Sequence, residues 1–263
     1  MRVVPARNGL SWLLSGFALF RKSAPMWLFL VFTYYVAVAL LGQIRYLGPA
    51  ASTVLLPAFS VSFMVMCAVL ERGGLLRPAL LFSGFRSGPA TLVALGVLYL
   101  LSIVAVLGVA SLADAGALMQ WVLSGQEPSV EALRDGSVSL AMLVATLAAT
   151  PVLMAFWFAP VLAAWNRTGA AQSLFYSFFA VSRNWRAFFV YGAVLALAGA
   201  VFLVGVTVAA VLMQGKVQVL RSLALILTLL SLPTVFGSFY ASYRDIFPEN
   251  SVPAEPPSNR ESA

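Results

Sequence analysis

Side chains that commonly do chemistry are scarce in this chain. Histidine is absent, which removes the commonest general base and the commonest metal ligand. Cys67 is the single cysteine, so neither an intramolecular disulfide nor a thiolate cluster can form. Of the nine carboxylates, most fall in one loop or in the C-terminal tail. Glu131 and Asp135 have a spacing that allows acid–base work, but in a solvated loop such a pair is ordinary surface chemistry. Arginine is the exception to this poverty. Arg21, Arg86 and Arg183 each follow an aromatic-rich stretch and precede a long apolar run, and Arg72, Arg167 and Arg244 each stand at the far end of such a run. Guanidinium groups pair well with phosphate oxygens. The six arginines therefore predict a basic layer that either holds lipid phosphate or serves structurally, as snorkelling anchors and interhelix ion pairs. The repeated placement favours a shared structural role. No catalytic, metal or cofactor site is expected.

The elements that carry these arginines follow from composition. Of 263 residues, 61% are hydrophobic and only 10% charged, against about 45–50% and about 25% in soluble domains. Mean hydropathy is +0.94. The chain is thus an all-α polytopic membrane protein. A crossing needs roughly 20 apolar residues, and six runs qualify: 26–44, 50–70, 90–112, 138–165, 188–213 and 222–247. They make residues 1–247 a single transmembrane domain. Pro57, Pro151, Pro160 and Pro233 lie inside them and predict kinks. Residues 248–263, rich in Pro, Ser and Glu, read as a disordered cytoplasmic tail.

The net charge is +7. Its scatter between apolar runs points to loops facing anionic lipid headgroups and not to nucleic acid. With the N-terminus inside, twelve Lys and Arg fall on the cytoplasmic side and four outside, so both termini are expected to be cytoplasmic. Lys216 and Arg221 in the fifth loop are the one mild conflict. Leu10 to Phe20 is followed by Arg21 and Lys22 with no small-residue cleavage site, so no signal peptide is expected to be removed.

Self-similarity organises the rest. GFALFRKSAPMWLFLVF, LFSGFRSGPATLVALGVLYL and SFFAVSRNWRAFFVYGAVL each lead into a first span. Each second span then brings a proline (Pro57, Pro151, Pro233), with Phe63, Trp157 or Phe239 six residues later. The predicted unit is a short interfacial helix plus a helical hairpin, used three times in parallel. In the first short helix Leu10, Leu13, Leu14 and Phe17 recur, with Trp12 suited to the interface; in the third, Leu174, Phe175, Phe178 and Phe179 recur. Such helices lie in the headgroup plane. Hydroxyls within the spans, such as Ser62, Thr146 and Thr207, are expected to bond to helix backbone. Coupled transport usually needs charges at depth, and the span centres carry none.

The strings SGFALFRKSAPMWL, MAFWFAPVLAAWN, SFFAVSRNWRAFFVYG and SYRDIF resemble those of an uncharacterised family of six-helix inner-membrane proteins, chiefly betaproteobacterial. The layout is more distantly similar to the membrane domain attached to some glycerophosphodiester phosphodiesterases, without a second domain to supply that catalysis. The resemblance implies a Gram-negative inner membrane and no assigned activity. The expected function is a non-enzymatic, lipid-associated envelope component. The alternative is a transporter or channel for a small or lipidic solute, which would require a cavity lined by the proline-bearing spans.

Overall fold

The computed structural model describes residues 1–45, 47–125, 127–212 and 217–248, and not the side chains of residues 210–221, 223, 224, 226 and 227. Five helices are long and apolar enough to cross a membrane: α2 (Ala24–Gly42), α3 (Leu47–Glu71), α4 (Pro89–Asp114), the pair α7 (Ser137–Phe156) and α8 (Ala159–Asn166), and α10 (Trp185–Leu212). The sixth apolar run lies in α11 (Val217–Ile246), whose 30 residues extend about 45 Å at 1.5 Å per residue. Met213 and Lys216 of the fifth loop, the Arg221 side chain, and tail residues 249–263 lie outside the described residues. Among the described residues every regular element is helical, as expected of an all-α polytopic membrane protein. The loop 113–137 is not extended chain, since it folds into α5 (Ala117–Ser124) and α6 (Val130–Arg134).

Local sequence sets several boundaries. Pro25 and Pro89 sit in the first turns of α2 and α4, where a missing N–H costs nothing. Ser129 caps α6 by accepting from Ala132 N at 3.2 Å. Asp135 accepts from Ser137 N at 2.8 Å where α7 starts. This bond, with the Ser137 hydroxyl, holds its carboxyl below the usual range. Glu131 lies in the first turn of α6, where the helix dipole favours an acid. Both carboxylates of the candidate acid–base pair thus hold helix-start positions.

The three short elements are α1 (Asn8–Lys22), a 3-10 helix (Pro78–Arg86) and α9 (Ala170–Arg183). The second is 3-10, not α-helical as the others are. Each packs chiefly against the second long helix of the preceding hairpin: the 3-10 helix on α3, α9 on α7 and α8, and α1 on α11. The pattern therefore closes on itself. Each contact is a close backbone approach. Gly16 abuts Thr234, Gly237 and Ser238 of α11, so any side chain there would meet backbone. Gly84 abuts the Ala58 carbonyl, and its N–H donates to Ser62 Oγ at 2.9 Å. Ser177 accepts from Phe158 N at 2.8 Å and donates to Met154 O at 2.8 Å.

That last pair explains why the predicted span 138–165 is broken. Met154 O and Phe158 N are a normal i, i+4 pair, and the Ser177 hydroxyl stands between them. A side chain inserted into the ladder is a known cause of sharp kinks. Pro160, which lacks an N–H, lies in the first turn of the next segment. The proline alignment in the sequence places Pro57, Pro151 and Pro233 together. The contacts instead match Ala58, Met154 and Thr234, so the middle helix is displaced by two positions relative to that alignment.

The short helices are amphipathic with the small and polar residues inward. α1 buries Gly9, Trp12, Gly16 and Leu19, and α9 buries Ser173, Ser177, Ala180 and Val181. Leu14, Phe17, Phe175 and Phe179 face outward. Trp12 is a correction: it is 2% exposed, not interfacial, because its indole N–H donates to Asp245 Oδ2 at 2.9 Å. Ser62, Thr146 and Thr207 bond to carbonyls four residues back, as expected. Cys67 is fully buried filler.

Ser177→Ala leaves a buried carbonyl and a buried N–H unpaired, a cost of about 1–3 kcal/mol each. A clear fall in the thermal unfolding midpoint in detergent is expected. An unchanged midpoint would show that the break in α7 does not rely on Ser177.

Candidate lipid-contact site

Each of the six arginines is exposed. Arg21, Arg86 and Arg183 occupy the last turns of α1, the 3-10 helix and α9, where a cation complements the helix dipole. Each has aromatic neighbours on the same short helix. The Arg21 guanidinium lies 5.9 Å from the Phe17 ring centroid; Phe82 and Phe85 precede Arg86 with centroids 6.2 Å apart; Phe175 and Phe179 precede Arg183 with centroids 4.6 Å apart. Next to Arg183, Arg186 lies over Trp185 at 5.5 Å. Arg72 follows α3. Arg167 follows α8 with φ +52, a left-handed cap position that favours glycine.

Arg244 does something different. It pairs with Glu71, which also accepts from Tyr240 OH at 2.7 Å. The expected interhelix ion pair is therefore present between α11 and the end of α3. The next residue, Asp245, collects donors from the first residues of the chain. Arg2 pairs with it, Asn8 Nδ2 donates at 2.7 Å, and Trp12 joins them. Arg2 N also donates to Ile246 O at 2.9 Å. On the other side Asn184 accepts from Val4 N at 2.8 Å and donates to Arg2 O at 3.2 Å. The first residues are thus tied to both α11 and the α9–α10 junction.

Between α1, α11 and the end of α3 lies a polar pocket of about 620 Å³. It is lined by Arg2, Asn8, Ser11, Ser15, Lys22, Glu71, Arg244 and Asp245, among others. A second, apolar cavity of about 250 Å³ lies among the long helices. Tyr34 of α2, Tyr99 of α4 and Tyr191 of α10 line it together with Pro57, Phe63, Trp157, Pro160, Phe236 and Phe239. Along α3 the buried Met64, Met66, Cys67 and Leu70 separate Phe63 in the cavity from Glu71 in the pocket. Among the described residues no group of His, Cys, Asp and Glu is placed to hold a metal.

Glu71 and Asp245 stand with the arginines among the charges at the helix ends that the sequence sets in one polar layer. What the sequence does not mark is Asn184, or that the donors to Asp245 come from the other end of the chain. Lys22 and the serines Ser11 and Ser15 were also missed. Their signal was present, since Asn8, Ser11, Ser15, Ala18 and Lys22 recur at helical spacing. It is a third stripe of α1, beside the buried stripe and the apolar one.

Asp245→Ala removes the shared acceptor of Asn8 and Trp12, and a loss of about 2 kcal/mol should appear as a lower unfolding midpoint. Arg167→Gly relieves the left-handed position and should raise stability by about 1 kcal/mol. A lower midpoint for that variant would show that the Arg167 side chain itself holds the fold.

The chain is 34% identical over 253 residues to a probable inner membrane protein of Burkholderia thailandensis, covering 93% of this chain and 92% of that protein. No family model matches the chain, and no solved structure matches it. The more distant likeness to the phosphodiesterase membrane domain stays an expectation of the sequence.

Proposed function

We propose that this chain, which belongs to the same family as the probable inner membrane protein of Burkholderia thailandensis, is a non-enzymatic inner-membrane component that engages anionic lipid headgroups through its basic face. The family supports the inner membrane as its location. The charge bias supports cytoplasmic termini, an orientation that puts all six arginines in the leaflet interface with the highest anionic surface charge.

One observation carries the reading. The short helices turn their small residues inward and present aromatic side chains followed by arginine outward. Phe17, Phe82 and Phe175 are 47%, 54% and 58% exposed, too large an apolar outlay for a face in water. A ring at the acyl boundary with a guanidinium beside it suits a phospholipid, whose phosphate lies just outside the hydrocarbon. Each such arginine contributes about 1 kcal/mol of attraction to an anionic surface.

Native nanodiscs test the proposal. Lipids retained by the protein should be enriched in anionic classes over the bulk membrane. Arg21→Gln, Arg86→Gln and Arg183→Gln together should abolish most of that enrichment. Retention equal to the bulk for both proteins would overturn the reading and direct attention to a scaffold with protein partners.

A second reading, a transporter or channel for a small or lipidic solute, is favoured by the apolar cavity with Pro57 and Pro160 in its wall. Solute flux in proteoliposomes would support it. The buried side chains of α3 below the cavity count against an open path in this conformation.

A further inference from the structure

The polar pocket beside α1 has a chemistry of its own. Its side chains include three cations, Arg2, Lys22 and Arg244, and two carboxylates, Glu71 and Asp245. The carboxylates are already engaged: Glu71 by Arg244 and Tyr240, Asp245 by Arg2, Asn8 and Trp12. Among the described residues that line it, one positive charge is left over. Lys22 has a neutral partner, the Leu70 carbonyl at 3.2 Å, while an ammonium carries three donors. Arg2 and Arg244 each use part of a five-donor guanidinium. Ser11 gives its proton to Asn8 O at 2.9 Å, and the exposed Ser15 stands one turn on, towards Lys22. The pocket thus offers unspent N–H donors around a surplus of one charge, at the end of a crossing, in a space of about 620 Å³.

We propose that this pocket binds a singly charged phosphate ester, with Lys22 as its principal cation and Ser15 beside it. A phosphodiester carries one negative charge, which matches the surplus. Charge-assisted bonds from Lys and Arg to phosphate are among the stronger polar contacts. Phosphate esters reach this place from two sources, the headgroup of a phospholipid such as phosphatidylglycerol or a soluble phosphate ester. The proposal rests on the lipid-contact reading in its first form and stands apart from it in the second. It also differs in its residues, because Arg21, Arg86 and Arg183 do not line the pocket.

The test uses the full chain in nanodiscs of phosphatidylcholine with a minor fraction of phosphatidylglycerol. Lipids retained after extraction are counted by native mass spectrometry for the wild type, Lys22→Gln, Lys22→Arg and the triple arginine variant. One phosphatidylglycerol should be held per chain, weakened about tenfold or more in Lys22→Gln and kept in Lys22→Arg. In phosphatidylcholine alone, titration with glycerophosphoglycerol, a soluble phosphodiester with one negative charge, tests the soluble source. Saturable binding lost in Lys22→Gln would assign the pocket to that source. Lys22→Gln is exposed and should leave the unfolding midpoint unchanged, so a loss of ligand is not a loss of fold. Equal retention and equal titration in wild type and Lys22→Gln would overturn the proposal. Loss of bulk anionic enrichment in the triple variant alone would leave the lipid-contact reading standing while the pocket assignment fell.

Discussion

Three close seatings support the rest of the architecture: Gly16 on α11, Gly84 on α3, and the Ser177 hydroxyl in the broken ladder of α7 and α8. In a bilayer the long helices gain nothing by hiding apolar surface from lipid, so association depends on close packing and on bonds to backbone. Small residues give both. A larger side chain at Gly16 would meet the backbone of α11, and no rotamer of its own could avoid that. Because each short helix lies on the hairpin before it, the three contacts link the hairpins in a closed series.

Around this series the interior is mainly aromatic. Phe63 stacks on Phe236 at 4.0 Å, Phe158 on Phe239 at 5.7 Å, and Trp157 meets Phe239 edge-on at 5.6 Å. These rings come from α3, from the α7–α8 break and from α11, the helices on which the short elements sit. Offset and edge-on pairs contribute about 0.5–1.5 kcal/mol beyond burial. They leave the apolar cavity where the rings do not fill the space. The charged contacts lie at the helix ends, with Glu71 and Asp245 already committed to their donors.

Much of this was legible in residue order. The apolar runs located the long helices to within a few residues, Pro25 and Pro89 marked helix starts, and Arg21, Arg86 and Arg183 marked the ends of the short helices. Hydrophobic periodicity located the short helices but not the face by which they pack. In α1 and α9 the large apolar residues define a stripe, but it is the outward one. The buried stripe mixes Trp12, Leu19 and Val181 with glycine, alanine and serine, and these small residues carry little hydropathy signal. Trp12 was misread because its partner, Asp245, is 233 residues away. The break at Trp157 was hidden for the same reason: Pro151 and Pro160 announced a kink, but the hydroxyl that occupies it belongs to another helix.

The closure of α1 on α11 also has a consequence in time. Translation yields α1 before α11. At about 5–20 residues per second, Gly16 waits roughly 10–45 s for Gly237 to be made. Throughout that interval the glycine stripe of α1 and the Asp245 donors at Arg2, Asn8 and Trp12 have no final partner. The nascent chain is therefore assembled as an open arc until α11 is present. Only when α11 has been made can the arc become a ring, because α1 packs chiefly on α11.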